Sequence, residues 1–127
     1  MERSSVESGE EGTFESPERF SIKAAAESRA NELHLDRNED AFFADAERGA
    51  FGVFDGVGGE AGGQHAAELA RDYFESKFKT MPLVDSSREA ERSLREMFRE
   101  ANRIVMDEQK IRRATGHPEE GEMGTTA

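Results

Sequence analysis

The chain has no cysteine among its 127 residues. That excludes disulfides, thiolate metal sites and a cysteine nucleophile. Any metal would be held by oxygen or imidazole, and the three histidines are scattered. No apolar run approaches the roughly 20 residues of a membrane span. The opening "MERSSVESGEEGTFESPE" lacks the apolar stretch of a signal peptide. Positive charge is scarce too: 17 Lys and Arg against 28 Asp and Glu leave a net charge of −11. A phosphate backbone needs a positive face, so this balance argues against non-specific nucleic-acid binding. Together these absences predict a soluble, cytoplasmic protein with no nucleic-acid and no membrane partner.

What is present suits one small domain. Residues 1–18 are rich in glutamate and serine and poor in apolar side chains, a composition that predicts a disordered acidic tail. In "RFSIKAAAES" (19–28), Phe20, Ile22 and Ala24 alternate with Ser21 and Lys23, the period of a half-buried strand. "DAFFAD" (40–45) and "GAFGVFD" (49–55) read as two more strands. The polar "AERG" between them is of hairpin length, and Gly49 is available for positive φ. From Gly63 the period changes. Ala66, Leu69, Ala70, Tyr73, Phe74, Phe78 and Met81 recur at helical spacing until Pro82. Ser86 and Glu89 then form a capping-box pattern, and Ala90, Leu94, Met97, Phe98, Ala101, Ile104, Val105 and Ile111 trace a second amphipathic helix. The short turn between the helices predicts antiparallel packing, with both stripes as core. "ATGHPEEGEMGTTA" turns through glycine and proline and ends on β-favouring threonines, as a strand begins. The predicted class is α+β.

Five glycines (56, 58, 59, 62 and 63) crowd behind Asp55, where an apolar strand meets a helix. Residues 56–61 fit the dinucleotide pattern G-x-G-x-x-A, but a second parallel strand is missing, and Asp55 would sit beside the pyrophosphate with no compensating cation. Asp36, Asn38, Asp40 and Glu47 fall at positions 1, 3, 5 and 12 of a helix–loop–helix calcium loop. There the sixth position is Ala41 instead of glycine, the ninth is Ala44, and the exiting segment reads as strand. A third reading takes the acids together. If 40–45 and 49–55 form an antiparallel hairpin, Glu39, Asp40 and Asp55 meet at one rim, where they repel one another unless a cation neutralises them. Hard oxygen ligands select Mg²⁺ or Mn²⁺. Glycine behind Asp55 would let a backbone carbonyl approach the ion. On spacing alone, three solvated acids in an acidic protein explain the pattern as well.

"RNEDAFF", "FGVFDGVGG" and "GEMGTTA", in that order and with two helices between the second and third, resemble the successive N-terminal motifs of the metal-dependent serine/threonine protein phosphatases of type 2C (the PPM family), bacterial-like in Val57. The resemblance covers residues 19–127. It implies stacked antiparallel β-sheets flanked by antiparallel helix pairs, and two Mn²⁺ or Mg²⁺ ions as cofactors. It also implies hydrolysis of phosphoserine and phosphothreonine esters on protein substrates by a water activated between the two metals. By the match Asp55 bridges the metals, Gly56 offers its carbonyl to one of them, and Glu39 and Asp40 support them partly through water. No covalent enzyme intermediate is implied, consistent with the missing cysteine.

The sequence departs from the family in three places. Many members carry a phosphate-holding arginine four residues before the glutamate of the acidic pair. Here that position is Leu35, with Arg37 nearby as a substitute. Many have histidine after the DG pair, where this chain has Val57; His34 and His65 read as surface residues and not as replacements. The family's domain also runs on through further strands that bring two more metal-binding aspartates. Residues 19–127 therefore read as the N-terminal part of such a domain, incomplete at the C-terminus. The expectation for the chain alone is weak metal binding, no turnover and an uncovered apolar face. The alternative from another class is a non-catalytic interaction module, or pseudophosphatase, that pairs through its two helices and acidic tail.

Overall fold

A computed structural model of the chain describes residues 21–30, 32, 38–58, 62–82, 84–116 and 122–127. The predicted acidic tail lies outside the described residues, and so do His34, Leu35, Asp36 and Arg37. In order come β1 (Asp40–Asp45), β2 (Ala50–Val57), α1 (Gly62–Thr80), α2 (Ser87–Ala114) and β3 (Gly124–Thr125). The class is α+β, with one three-stranded antiparallel sheet ordered β1-β2-β3 and two helices. A dinucleotide fold needs parallel strands, and both pairings here are antiparallel. The exit from the calcium-like spacing is strand, not helix, so neither of those two readings has its fold.

β1 and β2 form the predicted hairpin. Its turn occupies residues 46–49, and Gly49 takes φ 63°, a conformation costly for side chains with a Cβ. The period of two sorts the strands into faces. Ala41 and Phe43 of β1 and Ala50 and Phe54 of β2 are buried, whereas Phe51, Val53 and Val57 point the other way. Gly52, opposite Phe43, leaves room for that ring, since a Cβ there would collide with Phe43 and Phe54.

α1 covers the inner face and touches all three strands. Its Ala67, Ala70 and Phe74 join Phe43 and Phe54 in one cluster, completed by Met97 and Ala101 of α2. Phe74 links the layers, with ring centroids 5.6 Å from Phe54 and 5.1 Å from Phe98. The helices run antiparallel, as the short turn predicts: Phe74 meets Phe98 near their middles, while Ala66 meets Val105 towards the start of α1 and the end of α2. His65 Nε2 lies 3.2 Å from Glu108 Oε1 at that end. It is thus half-buried between the helices and not a plain surface residue. Ser86 caps α2, its hydroxyl accepting from the Glu89 N–H at 3.2 Å.

Three expectations change in the structure. Residues 21–30 form no strand. The alanines at 24–26 give little apolar area and poor β-propensity, and the segment instead passes beside Phe42, Ala44, Phe51 and Val53. β2 runs to Val57, two residues past Asp55, because β3 pairs with Gly56 and Val57. The α2 stripe is only partly core: Met97, Ala101 and Val105 are buried, but Leu94, Phe98 and Ile111 are exposed, since α2 packs on α1 alone along much of its length. The hairpin's outer face is also open, with Val53 71% exposed. No helix among the described residues is long and apolar enough to cross a membrane.

Phe54 is 1% exposed and sits where sheet and helices meet. Truncation to alanine removes its contacts on both sides, and Phe54→Ala is expected to cost about 3–5 kcal/mol. A urea denaturation midpoint equal to wild type would show that the core lies elsewhere.

Candidate metal centre

The register that buries Phe43 and Phe54 also sets Asp40 directly opposite Asp55. Gly56 N–H donates to the Glu39 carbonyl at 3.0 Å, so Glu39 and Gly56 make a hydrogen-bonded step of the ladder. Asp40 and Asp55 are the next step, which in an antiparallel ladder is the non-bonded one. Side chains stand closest there, with Cβ atoms about 4.5–5.5 Å apart. Both aspartates are exposed on the outer face, away from α1. The start of β1 is held in place by Asn38, whose Oδ1 accepts from the Asp40 N–H at 3.0 Å while its Nδ2 donates to Ser28 Oγ at 2.6 Å.

Desolvation raises the Asp40 pKa above its ordinary value, and the facing Asp55 carboxylate raises it further, with a smaller push from Glu39. The rim therefore sets two like-charged side chains face to face, and Asp40 is the one whose charged form is disfavoured. Such a donor pair suits a hard divalent ion. Mg²⁺ in particular is often bound by only one or two carboxylates and keeps several waters. Asp40 and Asp55 fit one such ion. Glu39 contributes its carbonyl to the ladder and its charge to the field. Among the described residues, no group of three or more Asp, Glu or His side chains is arranged to hold a metal. Arg37 lies outside those residues.

The glycines have a different local task from the one their position beside Asp55 suggests. A Cβ at Gly56 would fall on the Gly63 carbonyl at the start of α1 and on the Glu39 carbonyl. The missing side chain is thus used to pack the end of β2 against the first turn of the helix. Gly58, at φ 144°, allows the chain to pass Glu122 and Met123. Met123 is buried with Ala66 and Val105 and seats the last segment between the helices.

From that seat the chain returns to Asp55. Thr126 N–H donates to the Asp55 carbonyl at 2.9 Å, and Asp55 N–H donates to Thr126 Oγ1 at 3.2 Å. The Thr125 hydroxyl reaches the Asp55 carbonyl at 3.2 Å and the Thr126 carbonyl at 2.8 Å, sharing its one proton. The pattern of "GTTA" predicts the start of a strand but assigns neither threonine a role at the site. The signal was the β-propensity of consecutive threonines after a glycine-rich turn, with nothing to say which strand they would join.

Comparison with protein-family models and with curated proteins returns no match to this chain.

Because Asp40's folded pKa lies above the ordinary carboxylate value of 3.8, its ionised form destabilises the fold. That penalty is fully present above the folded pKa and disappears as pH falls towards the unfolded value. Asp40→Asn is accordingly expected to raise the melting temperature at neutral pH, by the equivalent of roughly 0.5 kcal/mol for relief of a facing like-charge pair. The gain should shrink in mildly acidic buffer. A mutant equal to wild type at neutral pH, or one whose advantage grows on acidification, would contradict the repulsive pair.

Proposed function

We propose that this chain carries the front of a metal-dependent protein serine/threonine phosphatase, acting on phosphoserine and phosphothreonine side chains of cytoplasmic proteins, within a stacked-sheet fold of the type 2C kind. The observation that carries the reading is the pairing of Asp40 with Asp55 across a non-bonded step, backed by the close-packed Gly56 and crossed by the terminal threonines. These are the three stretches on which the resemblance rests, and they come together at one rim.

In this reading Asp55 and Asp40 are the carboxylate ligands, and Glu39 adds negative potential that draws cations to the rim. Gly56 would present its carbonyl from a backbone fixed by the Glu39 and Gly63 contacts. Bound divalent cations supply an acidified water and positive charge for the phosphoryl oxygens. The protein's part is to hold two like charges in register, so that little reorganisation is needed when a cation arrives. Arg37 is the proposed phosphate-holding residue.

A second reading, a non-catalytic interaction module, is favoured by the exposed Leu94, Phe98, Met106 and Ile111 of α2. One experiment separates the two. Titrated with Mn²⁺ to about ten times its dissociation constant, the wild-type chain should gain about 1.4 kcal/mol of stability. Asp55→Asn should lose that gain while folding normally. Equal Mn²⁺ responses in both proteins would remove the metal-dependent reading and leave the interaction module.

A further inference from the structure

We infer that Thr126 is a positioning residue for Asp55, setting the orientation of the proposed metal ligand through its hydroxyl. The inference rests on the reading of Asp55 as a cation ligand and adds to it a residue 71 positions away in sequence.

The argument is one of ladder geometry. Along β2 successive backbone groups point alternately to the two neighbouring strands. Gly56 N–H points towards β1, where the Glu39 carbonyl accepts it. The N–H and carbonyl of Asp55 therefore point the other way, towards the segment 124–126. Among the described residues, the hydrogen bonds to the Asp55 backbone come from Thr125 and Thr126. In a regular antiparallel step two opposed residues exchange both backbone hydrogen bonds. Asp55 and Thr126 exchange one: Thr126 N–H goes to the Asp55 carbonyl. The Asp55 N–H goes instead to the Thr126 hydroxyl, while the Thr126 carbonyl takes the Thr125 hydroxyl. A side-chain oxygen thus stands where a main-chain oxygen would complete the ladder. Here the identity of the residue matters, as it would not in an ordinary strand.

The rest of the segment delivers that hydroxyl. Met123 is buried against Ala66 and Val105, and Gly58 gives the chain space to pass Glu122 and Met123. The anchor and the hydroxyl are three residues apart, so the hydroxyl is placed by the core. Asp55 then sits between a carboxylate that repels it on one side and a threonine that holds its backbone on the other. Without that hold, the contacts of Gly56 with Glu39 and Gly63 still tie the end of β2, but Asp55 itself can turn under repulsion by Asp40 and spread the two carboxylates.

The test is Mn²⁺ binding to the full 127-residue chain, read from the loss of the free-ion electron paramagnetic resonance signal, for wild type, Thr126→Val, Thr126→Ser and Asp55→Asn. Valine keeps the branched shape and removes the acceptor, whereas serine keeps the acceptor and removes the methyl group. Loss of one hydrogen bond should weaken binding roughly three- to tenfold in Thr126→Val, with Thr126→Ser within about twofold of wild type and Asp55→Asn not binding. Wild-type affinity in Thr126→Val with no binding in Asp55→Asn overturns the positioning role alone. Serine as weak as valine also overturns it, because shape and not the hydroxyl would then be what counts. Wild-type affinity in Asp55→Asn overturns the metal reading, and the positioning role with it.

Discussion

The hairpin register is the constraint from which the rest follows. Phe43 and Phe54 both face α1 in the register that sets Asp40 opposite Asp55, and slipping the strands by one residue would turn one set of side chains to the other face. The energies are unequal. Burying one large aromatic side chain contributes about 1.5–3 kcal/mol, while two facing carboxylates on an exposed rim cost roughly 0.2–1 kcal/mol. The core therefore dictates the register, and the like-charge pair is tolerated as its consequence.

Alternation and hairpin spacing located β1 and β2 because each strand has one apolar face and one mixed face. The helices were legible for the same reason, and the Ser86 cap because its hydroxyl acts within one turn. Residues 21–28 misled, since alternation among alanines gives the period of a strand without enough apolar area to hold one. The exposed half of α2 shows a related limit. A helical stripe says which face could be buried, but Leu94 and Phe98 are covered only as far as α1 reaches.

The site was legible up to its long-range part. Glu39, Asp40 and Asp55 could be brought to one rim from two adjacent segments, because a hairpin determines its own partners. The contribution of residues 122–127 could not be located in this way. It depends on Met123 finding a seat between α1 and α2 and on Gly58 yielding space, and no local periodicity encodes either. The glycines are a sharper case. Their density beside an acid suggests close approach to a ligand, yet the space at Gly56 is taken by the protein's own carbonyls. Close packing of strand on helix and close approach to an ion demand the same residue type, so composition alone does not separate them.

That double demand gives the rim its character. Gly56 fixes the end of β2 to the start of α1 and to Glu39, Asn38 fixes the start of β1, and the terminal threonines fix Asp55 from the far side. Each tie acts on backbone and leaves the two carboxylates facing outwards. Repulsion that would separate free aspartates in water has little to move here, because separation would mean breaking ladder bonds and lifting Gly56 off the helix. Desolvation raises the proton affinity of Asp40, and the repulsion raises it further. In the proposed reading a divalent cation would neutralise both partners at once. In the proposed reading, a rigid backbone and a cation-binding rim are two results of one arrangement, and changing the ties should alter the second without touching either carboxylate.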